Sequence, residues 1–432
     1  MNTLTAYRTW TSTKIQPPYV VMIGIVAIFM IFAFILQSPR EILEGLFRIL
    51  ISRSVTITDF MEVGGLGGGL MNAAIVGIVS IVICISAKIV PTGFTIAAFF
   101  LSIGFAFFGK NLLNMLPLIF GVWLHSKAAK QPFSGYYATA LLAASISPIT
   151  SEMIFLDLSF WYINIALGVF LGALSGFIFP IVSSHTQKIY DGFNLYNMGF
   201  VAGMMATFFV AIFVSIGIEI EPAYVVSGGN NLVLGSMLGA ITLFLIACGL
   251  FFGNGEEIFS DSVNLVKQVG NAPSDFYKLY GGNIFFNMGI LCILGTMTVI
   301  FIGAELNGPT LAGILTMAGF GAYGKHLKNC IPLIIGAFIA TLINTWALYF
   351  TPNVLAILFS TALAPFAGKY GVIVGVIVGF LHVNVNHHIG GLYQGLNLYH
   401  NGFTAGLVAL LMLPIMEGSV TLLNRAKDRL KK

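Results

Sequence analysis

Charge is scarce in this chain. Among 432 residues, 16 are acidic and 20 basic, so charged residues make up 8% of the whole. Soluble domains carry about a quarter, and a water-facing surface for a chain this long cannot be assembled from so few. With 57% hydrophobic residues and a mean hydropathy of +0.93, the chain reads as an all-α, polytopic integral membrane protein. A net charge of +4, without a basic patch interleaved with aromatics, excludes nucleic acid as a partner. The partners expected are the lipid bilayer and a small-molecule solute.

Cysteine is nearly absent too. Cys84, Cys248, Cys292 and Cys330 all lie in apolar runs. Their spacing suits neither a disulfide framework nor a metal site, so they read as packing residues. Carboxylates are missing from span centres: Glu62, Glu152, Asp191, Glu305 and Glu417 stand at segment ends. Proton- and sodium-coupled carriers often use intramembrane Asp or Glu, so this scarcity favours a facilitative channel or carrier for a polar or anionic solute. No nucleophile elbow occurs, and "GGLGGG" lacks the lysine of a phosphate loop. Neither an enzymatic activity nor a cofactor is expected. The glycines of Val63–Gly77 read as helix-packing positions.

The long apolar runs carry the organisation. The first, Tyr19–Leu36, follows Arg8 and Lys14 and is long enough to span about 30 Å of hydrocarbon. No small-x-small cleavage site follows it, so it reads as a retained anchor helix. The chain then repeats itself. "GFTIAAFFLSIGFAFFGKNLLNMLPLIFG" (Gly93–Gly121), shifted by 215 residues, falls on "GPTLAGILTMAGFGAYGKHLKNCIPLIIG" (Gly308–Gly336) with 13 of 29 letters identical. The matches include Gly109-Lys110 with Gly324-Lys325, Asn114 with Asn329, and Pro117 with Pro332, and the same shift pairs Asn72 with Asn287. Further on, at an offset of 203, "GFNLYNMGFVAG" (Gly192–Gly203) returns as "GLNLYHNGFTAG" (Gly395–Gly406), with eight of twelve letters identical. Shared Gly-Lys, Asn and Pro in one register mark a duplication rather than greasy coincidence.

The organisation expected is an anchor and connector at 1–56, a first repeat at 57–218, an extra helix and linker at 219–271, a second repeat at 272–417, and a basic tail at 418–432. The polar stretch Asn254–Gly282 would join the halves on the cytoplasmic side. About 12–14 transmembrane segments are counted. If every one crosses, seven crossings separate equivalent points and the halves are inverted. If the short segments 134–149 and 354–367 re-enter instead, the halves become parallel. Charge favours inversion. With the tail "NRAKDRLKK" inside by the positive-inside rule, Lys127, Lys130, Lys188, Lys267, Lys278, Lys325 and Lys328 fall inside as well. Glu152 with Asp157, Glu219 with Glu221, and Glu305 fall outside. Both termini are then expected to be cytoplasmic, in a cell inner membrane.

Paired, Gly/Pro-interrupted apolar segments are the best sequence pointer to a transport site. Irregular backbone at membrane depth survives only where protein or a water-filled cavity satisfies it. One such pair is Gly109-Lys110 with Gly324-Lys325. The repeated phrase is another. In it Asn194 and Asn397 stand three residues before Asn197 and His400, one helical face, followed by small-xxx-small glycines. The site residues expected to bind solute are Lys110, Asn114, Asn194, Asn197, Lys325, Asn329, His388, Asn397 and His400. The run "HVNVNHHIGGLYQG" holds His382, His387 and His388. Three imidazoles could bind a transition metal. The first copy keeps only His185, with no Cys or carboxylate cluster nearby, so hydrogen bonding to a polar solute or proton handling is the preferred reading, and no metal is expected. Two other readings stay open: an intramembrane enzyme using 382–400, and a non-transporting membrane scaffold. The oligomeric state is open as well, with a homo-oligomer one option.

The duplicated "NLY…GF" phrases and paired "GK" segments resemble a family of bacterial inner-membrane proteins with a repeated domain of unknown function. The resemblance covers about residue 55 to the end and implies no substrate. More loosely, five or six segments per half resemble the urea-transporter architecture. "SISPIT" (Ser145–Thr150) and "TALAPF" (Thr361–Phe366) stand at the matching places. The second copy lacks the paired threonine and the Leu-Pro signature of that family is absent, so the likeness is architectural.

Overall fold

The computed structural model describes residues 16–156, 160–344 and 346–430, except the side chains of 423, 426, 427, 429 and 430. Arg8, Lys14 and Asp157, named above, lie outside the described residues. Among the described residues the secondary-structure elements are helices. The first half of the order is α1 (Pro17–Leu36), α2 (Pro39–Leu50), α3 (Phe60–Ser86), α4 (Gly93–Phe105), α5 (Leu112–Ala128), α6 (Tyr137–Ala143), α7 (Pro148–Phe155), α8 (Trp161–Thr186) and α9 (Asn197–Ser215). There follow α10 (Asn231–Phe252), α11 (Ile258–Leu265), α12 (Phe276–Tyr280), α13 (Ile284–Phe301), α14 (Gly308–Gly319), α15 (Leu327–Ile343), α16 (Thr351–Phe359), α17 (Ala364–Tyr370), α18 (Val372–Ile389) and α19 (His400–Leu430). Among the described residues, nine helical stretches are long and apolar enough to cross a membrane, or ten if the bent pair 133–155 counts as one. The sequence count of 12–14 also takes in α4, α5, α14 and α15, which are shorter than those stretches. α4 and α14 have 13 and 12 residues, and at 1.5 Å rise per residue neither crosses alone.

What lengthens those pieces is irregular backbone, and asparagine makes it tolerable. Between α4 and α5 the chain leaves the helix at Ala106–Lys110. The Asn72 side chain, from α3, donates to the carbonyls of Ala106 (2.7 Å) and Lys110 (2.9 Å). In the other half Asn287 donates to Gly321 (3.0 Å) and Lys325 (2.9 Å). In hydrocarbon an unpaired carbonyl has no water to turn to. Asn72→Leu or Asn287→Leu strips two carbonyls, at about 1–3 kcal/mol each. The expected result is a clearly lower melting temperature in detergent, the loss being similar for the two variants. Each turn also requires glycine: Gly109 and Gly324 have φ of +87° and +140°, a region other residues enter only with strain.

The two halves are inverted. α4 and α14 are equivalent helices and pack directly together. A Cβ placed on Gly104 would meet Ala312, and one on Gly319 would meet Phe100 and Ala97. Early residues of one helix therefore face late residues of the other, so the pair is antiparallel. Gly104 corresponds to Gly319, and Ala97 to Ala312. The contact exchanges under a two-fold axis, which must lie in the membrane plane.

Both ambiguous short segments are bent or irregular helical stretches. The first runs from Tyr137, whose hydroxyl donates to Ser80 near the C-terminal end of α3, to Glu152, which pairs with Arg53 at 2.6 Å near its N-terminal end. It bends by 42° before Pro148. The second runs from Thr351, which accepts from Asn307, to Gly368, packed on Val269. It is irregular at Ser360–Leu363.

Two buried carboxylates lace the halves together. Asp59 caps α3 through the Met61 N–H and also accepts from the Gly308 N–H (3.1 Å), at the start of α14. Asp275 caps α12 and accepts from the Gly93 N–H (2.9 Å), at the start of α4. Each repeat thus caps the other's helix, where the macrodipole favours an anion. α1 joins the bundle through buried Val21, Met22, Ile25 and Phe29, and the Tyr19 hydroxyl donates to the Ile89 carbonyl. The four cysteines are free and buried.

Candidate solute path

The repeated phrase brings the halves face to face. α9 and α19 start inside it and cross at their first turns. A Cβ on Gly199 would lie 2.7 Å from the Gly402 Cα, and the reverse holds for Gly402. One turn on, Gly203 receives the Phe403 ring and Gly406 the Phe200 ring, and the two rings stack with centroids 5.5 Å apart. Just before the helices, the Leu195 N–H donates to the Ala362 carbonyl and the Leu398 N–H to the Ser145 carbonyl. Each phrase is therefore pinned to the break of the opposite repeat's bent stretch. Ser145 and Thr361, singled out by architectural likeness, stand at those breaks.

At this crossing each repeat also holds the other's tyrosine. The Lys110 ammonium, fully buried, donates to the Tyr399 hydroxyl (3.1 Å), the Leu141 carbonyl (3.3 Å) and the Ser102 hydroxyl (3.4 Å). The equally buried Lys325 ammonium donates to the hydroxyls of Tyr196 and Thr361. Among the described residues, neither ammonium has a carboxylate within ion-pairing distance. A buried charge is normally paired because desolvating it alone is costly. Rings close the space between: Phe105 sits 4.3 Å from Tyr399, and Phe320 sits 4.7 Å from Tyr196, centroid to centroid. Phe105 and Phe320 are themselves equivalent. The cavity these rings leave holds about 20 Å³, room for roughly one water.

A larger cavity reaches this constriction from each end of the bundle. The first, about 340 Å³, is lined by Phe94, Tyr136, Ser183, Gln187, Tyr190, Asn194, Asn197 and Tyr323, among others. It shares Leu195 and Met198 with the constriction. The second, about 210 Å³, is lined by Thr56, Ile57, Asn386, His387, His400 and Asn401, among others. It shares Leu398, Phe359 and Asn401 with the constriction. Ser183, Leu195, Asn197 and Met198 shift by 203 onto Asn386, Leu398, His400 and Asn401, so the two vestibules are images of one another. Thr56 and Ile57 adjoin the start of α3, whereas Phe94 follows its end. α3 is kinked at Gly65, and its uninterrupted stretch 66–86 alone rises about 30 Å, so the vestibules open at opposite ends of the bundle. No carboxylate lines any of the three cavities among the described residues.

Sequence-predicted residues divide by role. Asn194 and Asn197 line the first vestibule and His400 the second. The buried Asn194 and Asn397 each accept from the N–H two residues on, at Tyr196 and Tyr399, which sets the tyrosines' approach. Lys110 and Lys325 stand behind those tyrosines. Asn114 and Asn329 shape the turns instead: each forms a capping box, with Asn111 and His326, and donates to the carbonyl of Gly109 or Gly324 at 2.9 Å. His388 is outside both vestibule walls; its neighbour His387 lines the second and stacks on Trp346. The histidine run disperses. His382 bonds Asn401, and His400 bonds Tyr393 and the Asn386 carbonyl. Among the described residues no three His, Cys, Asp or Glu side chains gather as metal ligands.

Tyr196 and Tyr399, the constriction itself, were in the quoted phrase but not among the predicted site residues. The Asp59/Asp275 pair was missed too, although both begin an "Asp-Phe" at an offset of 216.

Inverted repeats, bent helical stretches and a closed axial constriction define a polytopic α-helical membrane protein with two-fold internal pseudo-symmetry. The chain matches the family described as "Protein of unknown function (DUF1576)" over residues 38–215 and 254–418, and it belongs to that family. The two matched stretches carry the two repeats. No curated protein and no solved structure matches the chain.

Proposed function

We propose that this protein lets a small polar or anionic solute cross the bilayer between its repeats, through the constriction where the pseudo-symmetry axis passes. The observation that carries this reading is the pair of vestibules. They enter from opposite ends and meet one constriction built from the same residues of both halves. A packing device would need the Gly199–Gly402 crossing, but not two mirror-related cavities that converge on it. The groups on the path are lysines, tyrosine hydroxyls and asparagines held by one another and by backbone, which suits passage better than catalysis.

Orientation follows from charge. Exposed Lys127, Lys130, Lys188, Lys267, Lys278 and Lys328 gather at the end of the first vestibule. Glu305 and the Arg53–Glu152 pair stand at the other. By the positive-inside rule the first vestibule faces the cytoplasm of a cell inner membrane, as do the start of α1 and the basic C-terminal end of α19.

Reconstitution tests the reading. Proteoliposomes should pass at least one of chloride, nitrate, formate, urea or glycerol well above protein-free liposomes. Equal permeability for all five would remove transport of such solutes and leave a scaffold.

A further inference from the structure

We infer that the solute is a small monovalent anion, held at the constriction between Tyr196 and Tyr399 by the two lysines behind them. This rests on the transport reading above and narrows it. An ammonium has only donors, so the Tyr399 hydroxyl accepts from Lys110 and the Tyr196 hydroxyl accepts from Lys325. A phenol polarised in this way offers its own proton to an acceptor. The two lysines are buried without a carboxylate partner among the described residues, so in their protonated form they place uncompensated positive charge at the centre of the molecule. An anion on the axis supplies the missing countercharge.

Three further features have the same sign. The first turns of α9 and α19 both line the constriction, adding the positive ends of two helix dipoles. The side-chain amides of Asn194 and Asn397 are buried donors without a protein acceptor among the described residues. Against them stand the Asn197 side-chain amide oxygen, an acceptor, and, in the two vestibules, the Tyr190 hydroxyl and His387 Nε2, each able to donate or accept. Finally, Asp59 and Asp275 spend their oxygens on backbone N–H groups and Ser227 and line none of the cavities. The constriction's size limits the guest to about that of a water or chloride without rearrangement; a one-carbon or nitrate-sized anion needs a modest opening of the rings.

The test uses full-length protein in two assays. In the first, proteoliposome flux is measured for chloride, nitrate, formate, urea and glycerol. Anion flux should exceed that of the neutral solutes, and Lys110→Met or Lys325→Met should cut it by about tenfold or more, the worth of one charged hydrogen bond. In the second, the melting temperature in detergent is read with chloride, nitrate or formate against an impermeant buffer. Anions should raise it for the wild type, and not for the Lys110→Met, Lys325→Met double variant. Tyr196→Phe with Tyr399→Phe keeps the bulk and charge and removes the hydroxyls; it should weaken the anion effect with the fold intact. Flux of urea or glycerol alone would keep transport and overturn the anion. Anion-dependent stabilisation that needs both lysines, without flux of any solute, would keep the site and overturn transport. An anion effect indifferent to both lysines would overturn the proposal.

Discussion

Lys110→Met and Lys325→Met should each abolish most solute flux while leaving the melting temperature unchanged or higher. The two effects oppose one another for a physical reason. A structural cation in an apolar interior is paired, and losing it strands its partner at a cost of about 3–5 kcal/mol. These two have only neutral acceptors, three for Lys110 and two for Lys325. Removing the charge relieves a desolvation penalty, and replacing buried ions by apolar residues is often neutral or stabilising by about 1–4 kcal/mol. Methionine keeps the stem's length and packing. A lysine retained at both equivalent turns, against its own cost in stability, is retained for something that happens on the axis. Thermal melting and proteoliposome flux on the same preparations check both halves of this expectation. A large fall in melting temperature together with flux loss would instead make the lysines structural.

The second large effect belongs to the crossing. Gly199→Ala and Gly402→Ala should each destabilise the protein by about 1–3 kcal/mol, the range for overpacking, and toward its upper end. The added methyl would lie 2.7 Å from backbone in either case, and backbone cannot rotate away as a flexible side chain does. Because the two glycines touch each other, the double variant should depart from additivity. Gly135 or Gly239, where an added Cβ meets nothing within 4 Å, serve as controls whose alanine variants should melt within a degree or two of wild type. Denaturation of all four variants in one detergent measures the difference.

The sequence made the duplication visible because its carriers are residues that hydrocarbon does not supply by chance. Asn72 and Asn287 align because both quench carbonyls of an unwound turn, and that task admits few side chains. Gly109 and Gly324 align because both turns enter left-handed backbone. Inversion was legible as well, since an odd number of crossings between equivalent segments follows from it and the lysine-rich and glutamate-bearing loops sort to opposite faces. What remained hidden is exchange. A shift of 215 or 203 pairs each residue with its own copy, whereas the contacts that build the site join Lys110 to Tyr399 and Lys325 to Tyr196. Such crossed pairs follow from where the axis passes, and a linear register does not contain it. Asn114 and Asn329 were read as lining for the opposite reason. Their repeat is real, but "Asn-Leu-Leu-Asn" and "His-Leu-Lys-Asn" are capping boxes, and a cap is as unforgiving of substitution as a binding site. Beyond the shared Asp-Phe, nothing in the linear sequence sets Asp59 and Asp275 apart from other segment-end carboxylates; their distinction is that each caps a helix of the other half.

The central claim is that the axis between the repeats is approached by vestibules from both faces of the membrane. Single cysteines at Ser184 and His387, equivalent residues lining the first and second vestibule, test it most directly. The four native cysteines are buried, so a membrane-impermeant maleimide applied to one side of intact cells or oriented vesicles reads the introduced thiol. The account predicts labelling of Ser184→Cys only from the cytoplasmic face and of His387→Cys only from the opposite face, with either reaction slowed by permeant solute. Labelling of both from the same face would contradict an axis reached from two sides.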